Sequence, residues 1–201
     1  MSRHRDHVQQ VLEMAKFNYV KDGYLAPTLL MCGRRDALVV MMAPSPELAP
    51  NFARVAGALY CTRRTTDLVV NIVEAWGRAY PKDGSEVENL RHGDLGRAAE
   101  AGDPNVYTVL VIQAVDTHDS AEDVTVTYTV DGPEAGSEMW VEGEAEGRMP
   151  EMMRDALHAA RSITVPPEMD TQVALEVMAT LGLVDAALEP LVWEEGGTTA
   201  S

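Results

Sequence analysis

The stretch Asp67-Leu-Val-Val-Asn-Ile-Val-Glu-Ala-Trp76 decides the fold. In an extended chain Leu68, Val70 and Ile72 point one way, and Val69, Val73 and Ala75 point the other. A strand that is apolar on both faces must be covered on both, which predicts a place in the middle of a sheet. Its polar interruptions, Asn71 and Glu74, are then costly, because a buried amide or carboxylate needs partners. Asn71 reads as a satisfied core amide. Glu74 reads either as the partner of an arginine such as Arg54 or Arg78, or as a group with chemistry to perform.

Upstream of this strand, Val8, Val11, Leu12, Ala15 and Tyr19 recur at helical spacing and predict a helix over about residues 4–21, closed by Asp22-Gly23. The apolar runs Leu25–Cys32 and Ala37–Ala43 flank Gly33-Arg34-Arg35-Asp36 and predict a hairpin with the arginines at its tip. A second helix follows from about Leu48, with Phe52, Val55, Ala56, Leu59 and Tyr60 on one face and Pro50 near its start.

Downstream, residues 77–105 hold turn residues and at most two helical turns over 94–101, the pattern of a long connection that either runs over the surface or covers a site. Val106–Val115 is a strand. In Val124-Thr-Val-Thr-Tyr-Thr-Val130 strict alternation gives an antiparallel outer strand with one packed and one wet face. A short strand, Glu138–Glu142, precedes two helices, one from Pro150 and one capped by Asp170. The expected class is α+β: a mixed, mostly antiparallel sheet of five to six strands covered by helices. Residues 1–145 form the core domain, and residues 146–201 form a C-terminal helical segment packed on that core or on a partner.

Composition narrows the function. The chain has 201 residues, 46% hydrophobic and only 5% aromatic, so its core rests on aliphatic residues and 11 methionines. No run approaches the length of a membrane span, and the polar start has no signal-peptide pattern, so a cytoplasmic location is expected. Cys32 and Cys61 lie in apolar contexts and read as buried thiols. The net charge of −16 is segregated: residues 1–80 carry 10 basic and 7 acidic side chains, and residues 81–201 carry 6 and 25. Such a chain repels nucleic-acid phosphate, which argues against direct nucleic-acid binding. The acidic half serves solubility or meets a basic protein partner.

The common nucleotide, zinc-protease and serine-hydrolase fingerprints are absent. One constellation stands out. Glu74 lies near the end of the central strand, and Asp116, His118 and Asp119 follow the end of the next long strand. If these strands run parallel, the carboxylates and the imidazole converge. Glu74, Asp116 and His118 would then serve acid–base chemistry, or with Asp119 hold a divalent metal; outside that arrangement no cofactor is expected. If they run antiparallel, Glu74 sits at the opposite edge. His92 joins only if the 77–105 connection folds over the site. His4, His7 and His158 read as solvated or helix-boundary residues, and Asp116-Thr-His-Asp-Ser120 also reads as simple turn chemistry. The tail residues Leu188, Leu191, Val192 and Trp193 are strongly apolar and read as docked on the sheet or as a contact for a partner.

The segment Asp22-Gly23-Tyr-Leu-Ala-Pro27, the strand end Glu74-Ala75-Trp76 and the turn Gly102-Asp103-Pro104-Asn105 resemble features of small uncharacterised proteins of actinobacteria and their phages. Those proteins often show an Asp-Gly…Pro hairpin and a Ser-Glu-Ala-Trp strand end; here Val73 stands in place of the Ser. The likeness covers roughly residues 20–115 and implies an accessory protein of phage or mobile-element type. The leading expectation is a non-enzymatic interaction or accessory protein that self-associates or binds a protein partner. The alternatives are a small metal-assisted hydrolase using Glu74 with Asp116 and His118, and a phage structural component.

Overall fold

A computed structural model describes residues 1–78, 98, 99, 101–103, 105–145, 147–187, 191 and 192. In chain order the elements are α1 (Arg5–Asp22), β1 (Thr28–Gly33), β2 (Asp36–Met42), α2 (Leu48–Thr62), β3 (Thr66–Arg78), β4 (Val106–Asp116), a 3-10 turn (Ser120–Glu122), β5 (Val124–Thr129) and β6 (Glu138–Glu142). Then come α3 (Arg148–Arg161), α4 (Thr171–Thr180), β7 (Val184–Ala187) and β8 (Leu191–Val192). Most of the 77–105 connection, including His92, lies outside the described residues, as do Leu188 and Trp193.

The strands form one sheet in the order β6-β5-β4-β3-β1-β2-β7, with β8 also paired to β2. β3 is therefore the central strand, buried on both faces from Leu68 to Val73. Every pairing is antiparallel, so the mixed sheet expected from sequence is corrected to a wholly antiparallel one. The strand count rises because the C-terminal segment is not purely helical. Val184 pairs with Met42 and Val192 with Asp36, so β7 and β8 progress along the same strand. Ala186 and Ala187 are poor strand formers, and their pairing is imposed by the open edge of β2.

Two apolar layers follow from the alternation in β3. Leu68, Val70 and Ile72 pack with Val8, Val11, Leu12 and Ala15 of α1. Val69 and Val73 pack with Phe52, Val55 and Leu59 of α2, Met153 and Leu157 of α3, and Leu175 and Met178 of α4. The C-terminal helices thus share a core with the sheet. The crossing of α2 and α3 is close: a Cβ on Gly57 would lie 3.2 Å from that of Ala156. α1 ends as its sequence dictates, with Gly23 at φ +76° and its N–H bonded to the carbonyl of Tyr19 at 2.8 Å.

The segregated charge is used inside the molecule. Arg5 Nη1 donates to Glu142 at 2.6 Å and Lys16 Nζ to Glu138 at 2.6 Å. Arg5 also lies 4.1 Å from the ring centre of Trp140, and Lys16 4.5 Å from that of Tyr128. One flank of α1, carrying Arg5 and Lys16, is thereby stapled to the acidic β5–β6 edge. Glu142, exposed at the end of β6, also accepts the Ser2 N–H at 2.7 Å.

Candidate functional site

Antiparallel pairing disperses the expected constellation. Leu68 is opposite Asp116 and Glu74 is opposite Leu110, so the two carboxylates stand six positions apart along the sheet, roughly 20 Å. The convergence of Glu74 with Asp116, His118 and Asp119 does not occur. Glu74 is half-buried, and its Oε2 accepts the N–H of Leu25 at 3.1 Å, fixing the chain between α1 and β1. Neither expected arginine holds it: Arg54 Nη1 donates to Asn51 Oδ1, and Arg78 lies 3.8 Å from Asp103.

Asp116 is the centre of a polar cluster at the other end of β3. Its side chain is fully buried and accepts from Arg3 Nη2 at 2.5 Å, His4 Nε2 at 2.5 Å and the N–H groups of His118 and Asp119 at 2.7 and 2.9 Å. Burial works to raise the pKa of this carboxyl. The bonds from His4, Arg3 and the two backbone N–H groups outweigh burial and bring it from 3.8 down to about 2. An ionised Asp116 requires the hydrogen on His4 Nε2, so that nitrogen cannot also accept from the neighbouring Arg3 Nε. Asp119 is occupied as a cap, its Oδ1 accepting the N–H of Ala121. His118 is mostly exposed, 3.7 Å from Asp67. The cluster is turn chemistry plus an N-terminal clamp, with every carboxylate oxygen of Asp116 engaged.

The adjacent Asp123, missed by sequence reading, completes it. Its buried carboxylate accepts from the Asp116 N–H at 2.8 Å and from Arg154 Nη2 on α3 at 2.9 Å. Burial raises its pKa despite Arg154. No local pattern announces a partner 31 residues away. Asn71 is less satisfied than expected: Nδ2 donates to Gln113 Oε1 at 3.0 Å, but its buried Oδ1 has no partner among the described residues. Among those residues no group of three or more His, Cys, Asp and Glu side chains is placed to hold a metal ion.

A thiol–imidazole pair also appears only in three dimensions. Cys32 Sγ lies 3.4 Å from Nε2 of His7. Burial pushes the Cys32 thiol up to about 12, and burial, with His4 nearby, lowers His7. Nucleophilic chemistry needs a thiolate, which this environment suppresses. The expected small-hydrophobe role fits Cys32.

A largely apolar concavity lies elsewhere, between α2, the extended segment 163–169 and α4. It encloses about 430 Å³ and is lined chiefly by Ala58, Cys61, Val165, Met169, Ala174 and Met178, with Ile163, Val177 and Leu181 on its exposed rim. Pro166 and Pro167 hold the segment before α4 out of a helix, and the Asp170 cap restarts one, leaving the gap between them. A cleft between separate elements has no sequence signature. The tail residues Leu191 and Val192 lie in β8, opposite Ala37 and Asp36 at the sheet edge. No protein-family model, curated protein or solved structure matches the chain. Among the described residues no helix is long and apolar enough to cross a membrane.

Proposed function

We propose that the chain is a non-enzymatic interaction protein that receives an amphipathic, basic helix of a partner protein in the cleft between α2 and α4. The supporting observation is unspent apolar surface: Leu181 is 67% exposed, and Ile163 and Val177 are half exposed, around a cleft with almost no polar lining. Such a groove recognises apolar side chains at helical spacing. The α4 side supplies the charge preference. Residues 162–187 contain Glu168, Asp170, Glu176 and Asp185 and no Lys or Arg, while Arg54 lines the facing α2 wall. Glu168, Glu176 and Asp185 are exposed, so a basic polar face is attracted and an acidic one repelled.

The test is titration with two synthetic amphipathic helices, one of Leu and Lys and one of Leu and Glu. The first binds and the second does not. Val177→Asn and Leu181→Asn, which leave the charge unchanged, weaken binding by about tenfold or more. Equal binding to these variants would mean general attraction to an acidic surface and would remove the cleft from the proposal.

A further inference from the structure

α1 is the one helix on its face of the sheet among the described residues, and its outward side carries a second, independent apolar surface. Phe17 is 68% exposed, Val20 85% and Met14 42%, while Val8, Val11, Leu12 and Ala15 on the opposite side are buried. Gln10, Glu13 and Lys21 complete the stripe, and all three are exposed. With 100° per residue, these positions fall within about 60° of Phe17 on either side.

The order of the stripe is self-complementary. Two copies crossing antiparallel about a two-fold axis at Phe17 place residue 17 − n of one against 17 + n of the other. Met14 and Val20 of the two copies then lie at matching heights on either side of the Phe17 pair, an apolar surround for the rings. Glu13 meets Lys21, opposite charges twice over, and Phe17 stacks on its symmetry mate. Lys21 has no ion pair within its own chain among the described residues, whereas Lys16, on the stapled flank, has two, with Glu138 and with Glu13, so Lys21 of the second copy adds a second cation to Glu13. We propose that this stripe is the interface of a two-fold homodimer built on antiparallel α1 helices. Helix axes at the usual separation of about 8–10 Å bring these side chains into contact. One helix face is at the small end of interface sizes, so the dimer forms reversibly with concentration.

Sedimentation velocity on the full chain from about 1 µM to about 300 µM reads the equilibrium. The wild type shifts from monomer to dimer. Phe17→Glu raises the dissociation constant about thirtyfold or more, with an unchanged melting temperature because the ring is already exposed. Glu13→Lys and Lys21→Glu each weaken association by placing like charges opposite each other, and the double variant restores it. A chain that is monomeric throughout, or a dimer indifferent to Phe17→Glu, overturns the proposal; the monomeric outcome leaves the stripe to a different protein. The cleft variants Val177→Asn and Leu181→Asn leave this equilibrium unmoved, so the two proposals fail separately.

Discussion

The polar cluster around Asp116 and the apolar cleft beside α4 are opposites. In the cluster, residues that look like chemistry in the sequence are consumed by structure: Asp116 holds Arg3, His4 and its own turn, and Asp123 holds Arg154. In the cleft, residues that look like ordinary core are left facing solvent at Ile163, Val177 and Leu181. The difference teaches that the cost of exposure, rather than the chemical interest of a side chain, marks the surface available for binding. A buried carboxylate with four donors has no capacity left for a ligand. An exposed leucine beside a cavity has all of its transfer free energy still to gain.

The sharpest break of this comparison is Asp123→Ala. It removes the buried carboxylate from Arg154, leaving that side chain the Ala145 carbonyl and the exposed Glu144, and it orphans two backbone N–H groups, so a denaturant melt should show a loss of about 3 kcal/mol. A loss below about 1 kcal/mol would mean the cluster is not a structural lock.

Acid comes next. Asp116 has a folded pKa below its ordinary value, so its contribution is complete above about pH 4 and is lost as pH falls through about 2. Because Arg3 is half exposed, solvent screening limits that contribution to about 1–2 kcal/mol. Asp116→Asn should therefore be less stable than wild type at pH 6 and approach it near pH 2. A gap that is constant with pH would show that the ion pairs contribute nothing.

The smallest effect belongs to the cleft. Leu181→Asn should change stability by less than about 0.5 kcal/mol while weakening uptake of the Leu/Lys helix by about tenfold or more. A large stability loss would make Leu181 core after all and erase the contrast.

Much of the fold was legible because burial imprints local periods. The double-sided run in β3, the alternation of Val124 and Val126 with the less buried Thr125 and Thr127 in β5 and the apolar side of α1 each follow from a repeat of two or 3.6 residues, although Thr129 is buried and β6, not β5, is the outer strand. The candidate site was not legible in this way. Glu74 and Asp116 converge only if β3 and β4 run parallel, and strand direction, which the structure shows to be antiparallel, is not a local property. A connection as long as 79–105 permits either direction. The β7–β8 edge was hidden for a related reason, since Ala186 and Ala187 carry no strand signal of their own.

The amino-acid sequence determined which segments bury which side, because apolar spacing is written residue by residue and acts before any distant contact forms. Only the tertiary structure decided the partners. Arg3 with Asp116, Asp123 with Arg154 and His7 with Cys32 are pairs 113, 31 and 25 positions apart. The cleft at α4 and the crest of α1 were decided there too, because which apolar residues stay exposed depends on how many helices each face of the sheet receives.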